Sequence, residues 1–246
     1  MNIILFNENE TLSRNGNLLK VDIKDFRVKH IENILNLKKG DLFNFGIVND
    51  SNYRAKVIGV DSEAFSFEIV ETLPLVKLYP VVLAVSQVRP ICMKRILREA
   101  VTLGASKIVL IGTDKSEKSY QDAKLYKTGE YKKYLLNGAM QSGSCMISKV
   151  SFYSNVDSFL LDYSSDEYEK IVLDNVESSS PLSQVETKSS NWTILAIGGE
   201  RGWSERERDL FKAYGYSSKL IGSRILRTET ACSVGLGVLL SKKNLL

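Results

Sequence analysis

The chain carries at residues 220–231 the run Leu-Ile-Gly-Ser-Arg-Ile-Leu-Arg-Thr-Glu-Thr-Ala. A strand-like stretch meets Gly222, a polar turn follows, and Thr228 stands where it can cap the helix that begins there. That last helix, expected over Thr228–Lys242, contains several small residues, although each glycine inside a helix costs about 1 kcal/mol. The pattern predicts a strand, a turn that is open to a ligand, and a helix in close contact with another element.

Two arginines in this run are candidates for ligand binding. Arg224 and Arg227 lie three residues apart and flank the apolar pair Ile225 and Leu226. This spacing favours guanidinium groups that face a ligand while both apolar side chains are buried. Planar cationic forks of this kind bind carboxylates and phosphates. The alternative is a pair of structural arginines that hold loop carbonyls together.

A second glycine-containing turn lies upstream, where residues 194–207 read Ile-Leu-Ala-Ile-Gly-Gly-Glu-Arg-Gly-Trp-Ser-Glu-Arg-Glu. A buried-type strand leads directly into three glycines, which let the backbone approach a ligand closely. Ser204 and Glu207 have the spacing of a capping box, so a helix is expected to start there. The run matches neither a Walker loop nor a dinucleotide-binding fingerprint, and an ordinary strand–turn–helix junction is the alternative.

The chain divides into two regions with different patterns of predicted secondary structure. Residues 1–73 read as short strands with one helix, Asp25–Leu37, which predicts a small barrel-like domain. Residues 74–246 alternate strands with helices, which predicts an α/β domain around a parallel sheet. Parallel sheets bind ligands in the loops at the carboxyl ends of their strands. The expected strands of the second region are Val81–Val85, Lys107–Ile111, Lys170–Leu173, Trp192–Ile197 and Lys219–Ile221, and its helices are Lys94–Leu103, Glu130–Met140, Ser204–Tyr214 and Thr228–Lys242.

Composition excludes several classes of protein. The 246 residues are 43% apolar, which is enough for a packed core. No apolar run reaches the roughly 18–20 residues of a membrane helix, so no membrane partner is expected. Three cysteines without a Cys-x-x-Cys pair argue against a disulfide scaffold and favour a reducing cytoplasm. The single histidine, His30, argues against a histidine-rich metal centre or a serine–histidine triad, so no metal is expected.

Charge is concentrated in the middle of the chain. Residues 76–151 carry 13 basic and 5 acidic side chains, a net charge of +8 against +4 for the whole chain. Basic clusters attract phosphate backbones, and interleaved tyrosines can stack on unpaired bases. An RNA-contacting surface and an ordinary lysine-rich solvated helix are equally consistent with this pattern. The lysines that stand among tyrosines here are Lys124, Lys127, Lys132 and Lys133.

The two glycine turns together resemble the paired signature of the ribosomal RNA small subunit methyltransferase E family. The run Arg-Ile-Leu-Arg-Thr-Glu-Thr-Ala at residues 224–231 matches that signature without a gap, and the turn after Ile197 resembles Ile-Gly-Pro-Glu-Gly-Gly-Phe-Ser. His30-Ile31 and Ile34-Leu35 fall within a further family stretch. The resemblance implies a PUA-like RNA-binding β-barrel over residues 1–73. It also implies a SPOUT methyltransferase domain with a deep trefoil knot over residues 74–246.

The chain departs from the family pattern at several positions. Gly199 replaces a proline and Arg201 a glycine in the first turn. Asn36 and Ser144 each stand where arginine is common. The cofactor half therefore resembles the family more closely than the RNA-facing half. An alternative is an RNA- or ribosome-binding homologue with weakened catalysis or a different RNA target.

The resemblance implies S-adenosylmethionine as the cofactor. Its adenosine would lie among backbone amides of three loops at the ends of strands, with apolar side chains as walls. It also implies a homodimer in the cytoplasm with 16S ribosomal RNA or the small ribosomal subunit as partner. The implied cofactor contacts are Leu173, Gly198, Gly199, Glu200, Gly202, Leu220, Ile221, Gly222, Ile225, Leu226 and Thr228.

The implied reaction is methyl transfer to N3 of a uridine. The N3 proton must leave, and negative charge develops on the ring oxygens, where an arginine would stabilise it. Arg227 and Arg224 are the first candidates for this role, and Glu229 or Glu200 is a candidate proton acceptor. By the same resemblance, His30 joins the lysines of the basic region as a candidate RNA contact.

Overall fold

A computed structural model describes residues 3–7, 10, 12–178 and 180–246 of the chain. The chain forms two compact units, one of Met1–Lys77 with Ala139–Ile147 and the other of Leu78–Gly138 with Ser148–Leu246. The first unit therefore recruits a short segment from the middle of the chain. None of the helices in the described ranges is long and apolar enough to cross a membrane.

The first unit is a six-stranded mixed sheet with one helix. The sheet order is β1-β4-β5-β6-β3-β2, in which β1 and β4 are parallel and every other neighbouring pair is antiparallel. Alternating residues of β6 point into the core, as the period-two pattern predicts. The elements are β1 (Ile4–Phe6), β2 (Leu12–Asn15), β3 (Leu18–Asp22), α1 (Phe26–Asn33), β4 (Leu42–Ile47), β5 (Ser51–Val60) and β6 (Ala64–Leu73).

Phenylalanines build the core of this unit. Phe6, Phe45, Phe65 and Phe67 are almost completely buried, and the ring centroids of Phe45 and Phe67 lie 5.1 Å apart, edge to face. Edge-to-face pairs contribute about 0.5–1.5 kcal/mol beyond the area they bury. The unit therefore has a hydrophobic core of its own.

Helix α1 ends at Asn33, earlier than the sequence pattern indicates. Asn36 adopts a left-handed conformation (φ 51°), and the Leu37 amide donates to the Ile31 carbonyl. A left-handed residue after a helix, with a backbone hydrogen bond across it, is a helix-terminating motif that asparagine tolerates well. Asn36, one of the departures from the family pattern, therefore adopts the left-handed conformation that the turn after the helix requires.

The second unit is an open α/β structure around six parallel strands, as predicted. The sheet order is β12-β10-β11-β7-β8-β9, and all five pairings are parallel. Its elements are β7 (Tyr79–Ser86), α2 (Pro90–Thr102), β8 (Ala105–Ile111), α3 (Lys118–Gln121), α4 (Lys124–Lys127), α5 (Tyr131–Ser142), β9 (Lys149–Tyr153), α6 (Val156–Asp162), β10 (Tyr168–Leu173), the 3₁₀ turn Leu182–Gln184, β11 (Trp192–Ile197), α7 (Glu205–Ala213), β12 (Ser217–Lys219) and α8 (Thr228–Lys242).

Two expectations for helix starts have different outcomes. The capping box is confirmed: the Ser204 hydroxyl accepts from the Glu207 amide at 3.1 Å, and the Glu207 carboxylate accepts from the Ser204 amide at 2.7 Å. The predicted Thr228 cap is wrong. Arg227 occupies the N-cap position, and the Thr228 hydroxyl instead donates to the Gly198 carbonyl at 3.4 Å. Thr228 thus joins the two glycine turns.

Candidate functional site

Three loops meet at the carboxyl edge of the parallel sheet. They follow β10, β11 and β12, which are neighbours in the sheet, so parallel pairing alone brings the loop starts together. The loops enclose a cavity of about 320 Å³, hereafter the main cavity. This is the edge at which parallel sheets bind ligands.

The structure brings all the predicted cofactor contacts together around the main cavity. Two of the three predicted catalytic residues, Arg227 and Glu229, do not line it, whereas Arg224 does. Assignment of these residues to a cofactor stays a prediction. The cavity residues among them are Leu173, Gly198, Gly199, Glu200, Gly202, Leu220, Ile221, Gly222, Ile225, Leu226 and Thr228.

Three glycines of the main cavity differ in what a side chain at their position would meet. Gly202 has φ +61° and closes a turn in which its amide donates to the Gly199 carbonyl at 3.0 Å. A β-carbon on Gly199 would come within 2.9 Å of the Ser86 hydroxyl, so this position excludes a side chain. A β-carbon on Gly222 would meet nothing within 4 Å, so a side chain there would project into open space. A side chain at Gly222 therefore meets no protein atom that would strain the fold.

Buried polar contacts fix the wall around the end of β10. The Trp203 indole Nε1 donates to the Leu173 carbonyl at 3.0 Å, and Trp203 itself is buried. Asp174 is buried and pairs with Arg208 of α7, whose guanidinium pKa this carboxylate raises. The Val176 amide also donates to Asp174. A buried carboxylate needs such partners, and here they hold the loop in one conformation.

Sequence analysis did not single out four residues of this wall. Asp174 stands directly after a strand, and that position could have marked it. Lys115 lies in the loop after β8, which ends at Ile111, and its ammonium donates to the Trp203 carbonyl at 2.9 Å. Trp203 directly follows the glycine turn after β11, and that position could have marked it. Arg208 has no local signal, because only the packing of α7 brings it to the cavity.

The catalytic candidates differ in exposure. Arg224 and Arg227 are exposed, and neither guanidinium has a hydrogen-bond or ion-pair partner within the described ranges. Glu229 is buried at 7% exposure. Burial, with the carboxylates of Glu229 and Glu200 next in importance, raises the pKa of the Cys92 thiol. Glu229 thus lies toward α2.

The expectation that Ile225 is buried is wrong. Its side chain is 84% exposed at the mouth of the main cavity, whereas Leu226 is half-buried. Several other apolar side chains, such as Ile91 at 78% and Phe26 at 74%, are similarly exposed, so the exposure of Ile225 does not by itself indicate a ligand. The structure therefore places this run at the main cavity without burying Ile225, and its role in ligand binding stays a prediction.

The RNA-contact candidates fall in both units. Lys124 and Lys127 lie on α4 and Lys132 and Lys133 on α5, and all four are exposed. Lys127 pairs with Asp122 at 2.9 Å. His30 lies on α1 in the first unit, half-buried.

The tyrosines near these lysines are partly used in packing. Tyr126 and Tyr131 each pack edge to face on Phe152, with ring centroids 5.5 Å away.

Among the residues that the structure describes, no cluster of three metal-ligating side chains occurs.

Comparison with known proteins settles the family. The family described as RNA methyltransferase domain matches residues 76–240. Ribosomal RNA small subunit methyltransferase E 1 of Borreliella burgdorferi is 32% identical over 232 residues, 93% of this chain and 92% of that protein. This chain belongs to the ribosomal RNA small subunit methyltransferase E family. The Treponema pallidum member is 32% identical over 247 residues, 98% of this chain and 91% of that protein.

A solved methyltransferase E shares the fold. The crystal structure of the Neisseria gonorrhoeae enzyme bound to S-adenosyl methionine matches with a TM-score of 0.79 at 19% identity. The match covers 98% of this chain and 97% of that one, so both units correspond in fold.

Two departures from the methyltransferase E pattern, Asn36 and Ser144, have structural explanations, and the other two, Gly199 and Arg201, line the main cavity. Asn36 adopts the left-handed conformation of the turn that follows α1. The Ser144 hydroxyl donates to the Val76 carbonyl at 3.1 Å and accepts from the Met146 amide at 3.0 Å, so it holds loop backbone that a longer side chain would displace. Arg201 is exposed and lines the main cavity.

Proposed function

We propose that this protein transfers the methyl group of S-adenosylmethionine to N3 of a uridine in 16S ribosomal RNA. The observation that carries the proposal is the main cavity, which unites three loops of a methyltransferase E family chain at the carboxyl edge of a parallel sheet. The relatives carry the name of a small-subunit ribosomal RNA methyltransferase, and one solved structure contains the cofactor.

The cavity has the chemistry that this cofactor requires. Leu173, Ile221 and Leu226 supply apolar surface for an adenine ring. Gly222 leaves open space beside the backbone of its loop. Asp174 and Glu200 supply carboxylates, of which Asp174 is already paired with Arg208. When bound, the cofactor supplies an activated methyl group, so positioning contributes much of the rate.

The protein's own residues must manage the proton and charge of uracil. Arg224 lines the cavity, and Arg227 lies at the start of α8 a few residues away. Both are free of acceptors in the described part of the chain, so either guanidinium is available to stabilise negative charge on the ring oxygens.

Two carboxylates are candidates for the proton acceptor. Glu200 is in the cavity wall, and its carboxylate accepts the Arg89 amide at 3.4 Å. Glu229 is the second candidate, buried toward α2. We favour Glu200, because a proton acceptor must come within hydrogen-bond reach of the atom that it deprotonates.

The remaining parts of the proposal concern the whole protein. The first unit would act as a PUA-like β-barrel that binds RNA through His30. The exposed lysines of the second unit, listed above, would meet RNA phosphates. The second unit would carry a trefoil knot of the SPOUT type and pair with a second copy as a cytoplasmic homodimer. Light scattering at low micromolar concentration should then report twice the chain mass of 27.6 kDa.

Mass spectrometry of ribosomal RNA tests the proposal in the cell. A strain that lacks this protein should lose one 3-methyluridine from 16S ribosomal RNA, and the intact protein should restore it. Calorimetric titration of the purified protein with S-adenosylmethionine should give a dissociation constant in the micromolar range, about −8 kcal/mol at ~1 μM. An unchanged set of 16S modifications in the deletion strain would contradict the proposed target.

A second candidate function follows from Arg201. It places a cation in the cavity wall where the family has glycine. Such a side chain supports an RNA-binding homologue with weakened catalysis or a different RNA target. In that case Arg201→Gly should raise methyl transfer severalfold, whereas the main proposal expects no gain.

A further inference from the structure

A smaller cavity adjoins the main one on the side of β7 and β8. It has a volume of about 80 Å³ and shares Lys115, Glu200 and Arg201 with the main cavity. It is too small for a nucleotide and large enough for one phosphate group. We call it the phosphate niche, and its lining is Arg89, Lys115, Ser116, Glu117, Tyr120, Glu200 and Arg201.

The niche holds one cation in a fixed position. The Arg89 Nε donates to the Tyr120 hydroxyl at 3.1 Å, and the Arg89 amide donates to Glu200 at 3.4 Å. Neither Nη group of Arg89 has an acceptor in the ranges that the structure describes. A guanidinium held at Nε with both Nη groups free can bind an anion through those two groups.

The other charges leave a local positive excess. Lys115 donates to the Trp203 carbonyl at 2.9 Å and keeps further protons for a ligand. Arg201 is exposed, and within the described chain it has no ion-pair partner. Glu117 and Glu200 oppose these three cations, so the lining carries an excess of one positive charge. An anion of modest size is therefore the ligand that fits.

We propose that the phosphate niche binds one backbone phosphate of the RNA substrate, next to the uridine whose base enters the main cavity. The inference rests on the proposed function, since the main cavity must hold the cofactor for the niche to lie beside the substrate. The competing anion is the carboxylate of the cofactor itself. The two differ in what a variant loses, because a phosphate contact affects RNA binding and a carboxylate contact affects cofactor binding.

The test compares Arg89→Gln and Tyr120→Phe with Lys118→Gln. Lys118 is exposed on α3 outside the niche, so its variant removes a nearby charge without touching the site. Filter binding to an unmodified 16S ribosomal RNA transcript over a series of KCl concentrations gives affinity and salt dependence. Calorimetry with S-adenosylmethionine and thermal melting use the same preparations.

We expect Arg89→Gln to weaken RNA binding about tenfold, as for one charge-assisted contact. The slope of log affinity against log salt should fall by about 0.7–0.9. Tyr120→Phe should show part of this loss, because the hydroxyl that holds Arg89 is gone. Lys118→Gln should match the unaltered protein, and all variants should bind the cofactor normally.

Two results would overturn the proposal. One is Arg89→Gln behaving like Lys118→Gln in affinity and salt slope. The other is a loss of cofactor affinity in Arg89→Gln with RNA binding intact, which would assign the niche to the cofactor carboxylate. RNA binding needs no cofactor in this assay. An unaltered protein that fails to bind S-adenosylmethionine would therefore contradict the proposed function separately.

Discussion

Gly222 is the position at which we expect a substitution to weaken ligand binding without affecting folding. An added β-carbon meets nothing within 4 Å, and the residue lines the main cavity. Gly222→Val should therefore fold normally and lose at least about tenfold in S-adenosylmethionine affinity, about 1.4 kcal/mol. Calorimetry measures the affinity, and circular dichroism checks the fold.

Gly59→Val is the matched control for this change. Gly59 lies on β5, and an added β-carbon there also meets open space. This variant should bind the cofactor as the unaltered protein does. A folded Gly222→Val protein with normal affinity would remove the loop after β12 from the site.

Substitution of Arg227 tests whether its guanidinium takes part in methyl transfer. Its side chain is exposed and has no hydrogen-bond or ion-pair partner in the described residues, so Arg227→Ala should keep its melting temperature. Removal of a cation that stabilises developing charge typically costs about 10²–10³ in rate. Arg227→Lys should also lose most activity, because the planar fork is absent. Single-turnover methylation measures both variants.

Two outcomes would separate function from structure for Arg227. Early melting of Arg227→Ala would indicate that the side chain holds loop carbonyls together. A stable variant with unchanged turnover would remove Arg227 from the mechanism. Arg224→Ala, which changes the arginine inside the cavity wall, is the parallel case and should lose at least as much.

At the scale of elements, the capping box joins α7 to the loop after β8. The Ser204 hydroxyl accepts from the Glu207 amide and donates to Asp114 at 2.6 Å. Glu207 also accepts the Asp114 amide at 2.8 Å. Ser204→Ala should therefore lower the free energy of unfolding by about 1 kcal/mol.

Glu207→Ala should lower the free energy of unfolding by more than Ser204→Ala does. It leaves two backbone amides, of Ser204 and Asp114, without their acceptor, and each buried unsatisfied group costs about 1–3 kcal/mol. Urea denaturation measures both, with the exposed Glu205→Ala as the control that should change little. Equal stability of Ser204→Ala and the unaltered protein would mean that water replaces the cap.

Sequence patterns predicted most elements around the site well, but the strand expected over Lys219–Ile221 is observed at Ser217–Lys219. Trp192–Ile197 and Thr228–Lys242 were predicted with the bounds observed, because a long apolar strand and a long helix each have a strong local signal. β9 and α6 were not predicted. β9 is a five-residue strand at the edge of the sheet with β8 as its neighbour, so its conformation depends on a distant partner.

The candidate site shows the same division between local and distant information. Glycine turns after strands could be read from the chain, and parallel pairing then brings their loops together. The Asp174–Arg208 pair and the contact of Trp203 with Leu173 could not be read, since each joins residues about thirty positions apart through the packing of α7. Ile225 was wrongly expected to be buried, because the residue type alone does not distinguish an apolar side chain at the opening of a cavity from one in a core.

For the molecule as a whole, a buried tyrosine is expected to lower the free energy of unfolding as the pH rises above about 10. Burial raises the pKa of Tyr216, whose hydroxyl is buried without a hydrogen-bond partner within the described structure. An unfolded tyrosine ionises near pH 10. Because the folded pKa is higher, the stabilisation is fully present below about pH 10 and is lost as pH rises toward the folded pKa.

Tyr216→Phe should reduce this alkaline loss. At neutral pH it should also raise the free energy of unfolding by about 1 kcal/mol, because an unsatisfied buried hydroxyl is removed. Tyr214→Phe, at a half-buried tyrosine nearby, is the control. Thermal melts from pH 7 to pH 11 measure both effects, and identical pH profiles for Tyr216→Phe and the unaltered protein would refute the assignment.

Methyl transfer by the purified protein is the measurement that tests the proposed reaction itself. Isotope-labelled S-adenosylmethionine is incubated with the protein and either unmodified 16S ribosomal RNA or small subunits, and the RNA is digested to nucleosides for mass spectrometry. Gly222→Val serves as the inactive control. We expect label in 3-methyluridine from one position of 16S ribosomal RNA with the unaltered protein, and none with Gly222→Val. A folded, cofactor-binding protein that labels neither substrate, or that labels a different base, would contradict it.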